Sequence, residues 1–157
     1  MRLFKPAWMN DNVSKALDAV KKLKNKNELI KAATEAQSVK VRIAALSMID
    51  DQGVIANFAL HDIQKDVRMA ALHHLIDQDA IQQVASSDKE SEIREEAVRR
   101  VASQEHLKQI ALCDEDCTVR RAAVEGLSDE SMLAEVAKNT RNGGCGTETE
   151  RIIAFIS

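Results

Sequence analysis

Four arginines recur at a spacing that suggests shared chemistry. Arg42, Arg68, Arg94 and Arg120 stand 26 residues apart, each directly after a β-branched residue: Val41, Val67, Ile93 and Val119. A guanidinium carries five donors in a planar fork, so four of them on one periodic face would form a comb for phosphates or carboxylates. The competing use is internal. Asp62, Asp88 and Asp114 recur at the same period, each six residues before an arginine. Acids and arginines that move together read as a structural ladder across the turns between copies. Losing one arginine should then cost about 1.5–3 kcal/mol, the scale of a charged hydrogen bond, and leave any activity intact.

The thiols and imidazoles offer less. Cys113 and Cys117 have a C-x3-C spacing, and Cys145 falls one copy beyond Val119, so the last two are candidates to approach each other. A metal would need a fourth ligand, with only His106 nearby in sequence, and zinc sites normally show two tight ligand pairs. Ordinary thiols, with no metal and no cofactor, are the expectation. His73 and His74 are neighbours on a helix and therefore point about 100° apart, which suits solvent better than a shared metal. His61, in the preceding turn, reads the same way. The one glycine-rich stretch, residues 141–146, follows a helix rather than a strand and so lacks the setting of a phosphate loop. No catalytic constellation emerges, and the chain reads as a non-enzyme.

The elements that must carry these residues are set by an internal repeat. Three residues after each arginine stand Ala45, Ala71, Ala97 and Ala123, followed by Leu46, Leu72, Val98 and Val124, and then by Ile49, Leu75, Val101 and Leu127. A second apolar group follows: Ile55, Ile81, Leu107 and Leu133, then Phe58, Val84, Ile110 and Val136, then Ala59, Ala85, Ala111 and Ala137. Spacings of three and four mark two short amphipathic helices per copy, near 39–49 and 53–60 in the first clear one. Polar turns between them, such as 50–52 and 103–105, supply residues that cap helix starts. Neither helix buries its apolar stripe alone, whereas stacked copies share one core.

The expected fold is all-α, a right-handed α-solenoid forming a single domain. Its parts are a cap segment (1–14), copies at 15–40, 41–66, 67–92, 93–118 and 119–144, and a truncated capping helix at 145–157. The first copy keeps Val20, Leu23, Leu29 and Ala33 in the apolar columns but has Ala16 in place of the arginine. Phe4, Trp8 and Met9 precede it and suit a cap over its exposed end. At the other end Ile152, Ile153, Phe155 and Ile156 either seal the core or offer a face for self-association.

The unit VRxAAL, an aspartate-rich turn and a second helix ending LxxVA resembles the short HEAT-like repeats found in phycobilisome lyases, which border on the leucine-rich repeat variant family. The resemblance covers 15–140. It implies an armadillo-like fold and a concave surface presented to another protein, and it says little of activity. Some members of the variant family hold an iron–sulfur cluster on a separate cysteine-rich segment, which this sequence does not show. Lyase-like handling of a tetrapyrrole on Cys113 or Cys117 is the alternative that the resemblance brings.

Charge and composition narrow the partner. Residues 1–40 carry nine basic and four acidic groups, against 13 and 21 in the remainder, so one end is basic and the other acidic. The overall charge of -3, the absence of tyrosine and only 3% aromatics argue against nucleic acid, leaving weak binding through the basic first copy as a third reading. No run approaches the roughly 20 apolar residues of a membrane span, and the start lacks a secretory pattern. Three cysteines without an export signal fit the cytoplasm. The expected function is therefore protein binding or scaffolding, with an extended peptide or another protein as partner. Its expected contacts lie on the second helices, on a polar column between the apolar ones: Lys31, Asn57, Gln83, Gln109 and Glu135, widened by Gln82 and Lys108.

Overall fold

The computed structural model describes residues 5–140. Within them every regular element is helical: a short 3-10 turn at Ala7–Met9 and ten α-helices. These are α1 (Val13–Val20), α2 (Lys26–Glu35), α3 (Val39–Leu46), α4 (Gln52–His61), α5 (Lys65–His74), α6 (Gln78–Ser87), α7 (Ser91–Val98), α8 (Gln104–Cys113), α9 (Cys117–Gly126) and α10 (Glu130–Thr140). The odd-numbered helices begin at 13, 39, 65, 91 and 117 and the even-numbered at 26, 52, 78, 104 and 130, so every start recurs at the period of the arginines.

The even-numbered starts recur with their caps. Asn25 accepts from the Asn27 and Glu28 amides, Asp51 from Val54, Ser103 from His106, and Asp129 from Ser131 and Met132. Each satisfies amides that an opening helix leaves without a partner inside it.

The chain forms two compact units, Met1–Asp77 and Gln78–Ser157. In the first, α1 packs on the 3-10 turn and on α3, α3 on α5, α2 on α3, and α4 on α5. Trp8 in that turn is buried. In the second, α6 packs on α7, α7 on α9, α8 on α9, and α8 on α10.

The apolar columns are the core. Ala45, Ala71, Ala97 and Ala123 are wholly buried, which lets helices approach closely, and Leu46, Ile55, Leu72, Ile81 and Leu107 fill the space between them. Each such side chain contributes about 1.5–3 kcal/mol by leaving water. Ala16 stands in the arginine column and is just as buried, so the first copy keeps the apolar packing and gives up the polar fastening. Phe4, Cys145, the glycine-rich stretch 141–146 and the apolar group 152–156 lie outside the described residues.

Candidate functional site

Asp62 and Asp114 each join three segments. In the first unit the Asp62 carboxylate takes the Nη2 of Arg42, twenty residues earlier, and also accepts from the Gln64 amide at 2.9 Å. Its backbone carbonyl accepts from Arg68 Nη1, six residues later, at 3.0 Å. Arg42 completes its set through Nε to the Ala33 carbonyl. In the second unit Arg94 forks onto Asp114 through Nε (2.9 Å) and Nη2 (3.0 Å), donates Nη1 to the Asp88 carbonyl (2.8 Å), and reaches Glu115 at 3.2 Å.

Arg120 donates to the carbonyls of Asp114 and Glu115. The six-residue spacing read from sequence is thus a carbonyl contact to the arginine of the next copy, while the carboxylate serves the arginine of its own copy, twenty residues earlier. Ala16 and Ala36, twenty residues apart, show both partners missing together in the first copy.

Burial makes these pairs structural. The Arg94 and Asp114 side chains are 5% and 7% exposed, and those of Arg42 and Asp62 are 10% and 5%. The hydrogen-bonded Asp114 carboxylate raises the Arg94 pKa further above its ordinary range. Among the described residues no buried side-chain nitrogen or oxygen lacks a partner.

A second fastening was not anticipated from sequence. The glutamine that opens each interior even-numbered helix grips the backbone of the next copy twice, at a carbonyl and at an amide two residues further on. Gln52 takes the His74 carbonyl and the Ile76 amide, Gln78 the Arg100 carbonyl and the Ala102 amide, and Gln104 the Gly126 carbonyl and the Ser128 amide. A carboxamide alone among the common side chains of that length presents a donor and an acceptor side by side. The signal was a glutamine column at 52, 78 and 104, bounded by Lys26 and Glu130. Lys26 instead pairs with Asp51 at 2.5 Å and lowers its pKa.

Two equivalent grooves run between successive even-numbered helices, 52 residues apart. In the first unit a groove of about 470 Å³ is lined by Thr34, Val54, Asn57, Phe58, His61 and Asp62, together with Ile30, Asp51 and Gly53. In the second, a groove of about 390 Å³ is lined by the corresponding Ser86, His106, Gln109, Ile110, Cys113 and Asp114. The frame is the same and the lining differs. Where the first unit pairs Thr34 with Val54, the second holds Ser86 Oγ 2.7 Å from His106 Nε2, hydroxyl and imidazole exchanging roles with the tautomer. The same two residues line an adjoining groove of about 460 Å³ with Asp79, Gln82, Gln83 and Ser87.

These grooves gather part of the polar column. Asn57 lines the first, Gln82 and Gln83 one arm of the second, and Gln109 the other. Lys108 is instead held by Glu105 (3.1 Å) and Glu135 (3.4 Å), which raise its pKa in that order, so Lys108 and Glu135 partly satisfy each other. Lys31 is exposed on α2 and lines neither groove.

Cys113 and Cys117 are exposed, as are His61, His73 and His74. Among the described residues no three His, Cys, Asp or Glu side chains converge as metal ligands, and no helix is long and apolar enough to cross a membrane. Compared with protein families, with curated proteins and with solved structures, the chain matches none.

Proposed function

We propose that the chain is a short right-handed α-solenoid of HEAT-like repeats that acts as a non-catalytic protein-binding or scaffolding module in the cytoplasm. The face carried by α2, α4, α6, α8 and α10 is its inner, binding surface. One observation carries this reading. Grooves at equivalent places keep the same frame, with Asp62 and Asp114 at one end and Phe58 and Ile110 on the floor, while their solvent-facing residues change from Thr34 and Val54 to Ser86 and His106. Repeats that hold their joints constant and vary one face are suited to recognising an irregular surface.

The test is a pull-down of partner proteins with the wild-type chain and with the Gln83→Lys/Gln109→Lys pair. Both glutamines are exposed, so the fold should survive. Partner recovery should drop at least tenfold for the variant. Undiminished recovery with the folded variant would place the binding surface elsewhere.

A further inference from the structure

The Ser86–His106 pair stands where the copies on either side are apolar. Its two columns hold Leu60 and Leu112, and Ala80 and Met132, in the copies on either side; further out they hold Thr34 and Lys138, and Val54 and Glu28. The two side chains meet at 2.7 Å at the junction of the two grooves that run along α6 and α8. A hydroxyl and an imidazole here replace the apolar side chains of the flanking copies, and they add a donor and an acceptor at the surface.

We infer that this trough is a binding site for a basic, extended peptide segment, with the Ser86–His106 pair at its centre. The inference rests on the protein-binding reading above and narrows it to one site and one ligand class. Three features fit the occupant. The ten-residue helices α6 and α8 each run about 15 Å, room for about four or five residues of extended chain. Gln83 and Gln109 lie in the two arms, and a carboxamide can give and take hydrogen bonds with a backbone that an extended segment leaves open. Whichever tautomer His106 adopts, Ser86 retains either lone pairs or a hydroxyl proton for the same purpose.

Charge selects the basic class. Residues 78–140 carry 14 acidic and eight basic groups, a net charge of -6. Asp79 lines one arm of the trough, Asp114 the other, and beside Asp114 the Glu115 side chain is 86% exposed. Of the nearby cations Arg94 is engaged by Asp114 and Lys108 by Glu105 and Glu135, while Lys89 shares an adjoining groove with Asp88, Asp114 and Glu115, so acids outnumber bases around the trough. A lysine- or arginine-bearing segment meets a negative field here, whereas an acidic one is repelled.

A displayed library of random ten-residue peptides, panned on the full chain, tests this directly. Enriched sequences should be basic. Their affinity, read by fluorescence anisotropy of labelled copies, should fall at least tenfold between 50 and 500 mM salt. The decisive variant is Ser86→Leu/His106→Met, which copies the chain's own Leu112 and Met132 one copy later. It should weaken binding at least tenfold while melting at or above the wild-type temperature. A second surface variant, Gln109→Lys, should weaken binding with the fold intact.

Equal binding of the peptides to both variants would overturn the site. Enrichment of acidic peptides would overturn the ligand class. Enrichment of none would overturn the inference outright, while the Gln83→Lys/Gln109→Lys pull-down judges the broader reading separately.

Discussion

The groove of the first unit and its counterpart 52 residues later share a frame and differ in what they show to solvent. Asp62 and Asp114 occupy the same corner, each accepting from an arginine twenty residues earlier in its own copy and from an amide of its own turn. Phe58 and Ile110 are buried on the same floor. Yet Ser86 and His106 stand where the first groove has Thr34 and Val54, and Cys113 stands where it has His61. The charge of the units diverges as well: residues 1–77 carry 12 basic and nine acidic groups, residues 78–157 ten and 16. Columns that recur hold the copies together, and columns that change give each copy its own surface.

The comparison breaks first, and hardest, at the frame. Arg94→Ala strands the Asp114 carboxylate at 7% exposure, and removing one partner of such a buried pair costs about 3–5 kcal/mol. Arg120 is less buried and donates only to carbonyls among the described residues. Arg120→Ala should therefore cost less, about 1.5–3 kcal/mol, the worth of a hydrogen bond from a charged donor. Urea denaturation of the two variants checks the ranking; equal losses would mean that the carboxylate is not what makes the ladder strong.

A smaller loss is expected at the glutamine grip. Gln104→Ala removes two hydrogen bonds, to the Gly126 carbonyl and the Ser128 amide, both near solvent. About 1–2 kcal/mol is the corresponding cost. Gln104→Glu keeps the acceptor and loses the donor, so it should fall between wild type and alanine in the same denaturation series.

Most of the frame was legible in the sequence, and the reason is periodicity. A residue that does the same job in every copy leaves a column, which is how the apolar core, the arginines and the aspartates could be aligned. What a column does not reveal is which copy its partner sits in. Arg94 lies six residues from Asp88 and twenty from Asp114, and the chain doubles back so that the nearer aspartate offers its carbonyl and the farther its carboxylate. The glutamine column was visible too, but a long polar side chain at the start of a helix looks like solvated surface until the backbone of the next copy is in place. His106 belongs to no column of its kind and Ser86 shares its hydroxyl only with Thr34, so no periodic signal marks the pair.

The weakest expected effect is on acid stability. Thr118, by its hydroxyl and its amide, holds the Asp116 carboxyl down at about 2. Its folded pKa lies below the unfolded value of about 3.9, so its contribution is complete above about pH 4 and is lost as pH falls toward 2. The Ser131 hydroxyl lowers Asp129 in the same direction. Ser103, in the cap column of Asp129, has no charge to lose. Thr118→Val should raise the Asp116 midpoint, as followed by NMR titration, and an unmoved midpoint would remove the hydroxyl as its cause.

The separation of frame from surface is tested most directly by a single variant measured twice. Ser86→Leu/His106→Met should keep or raise the melting temperature while losing at least tenfold in affinity for the peptides that bind the wild-type chain. A collapse in melting temperature with affinity preserved would contradict the separation and make the Ser86–His106 pair one more joint.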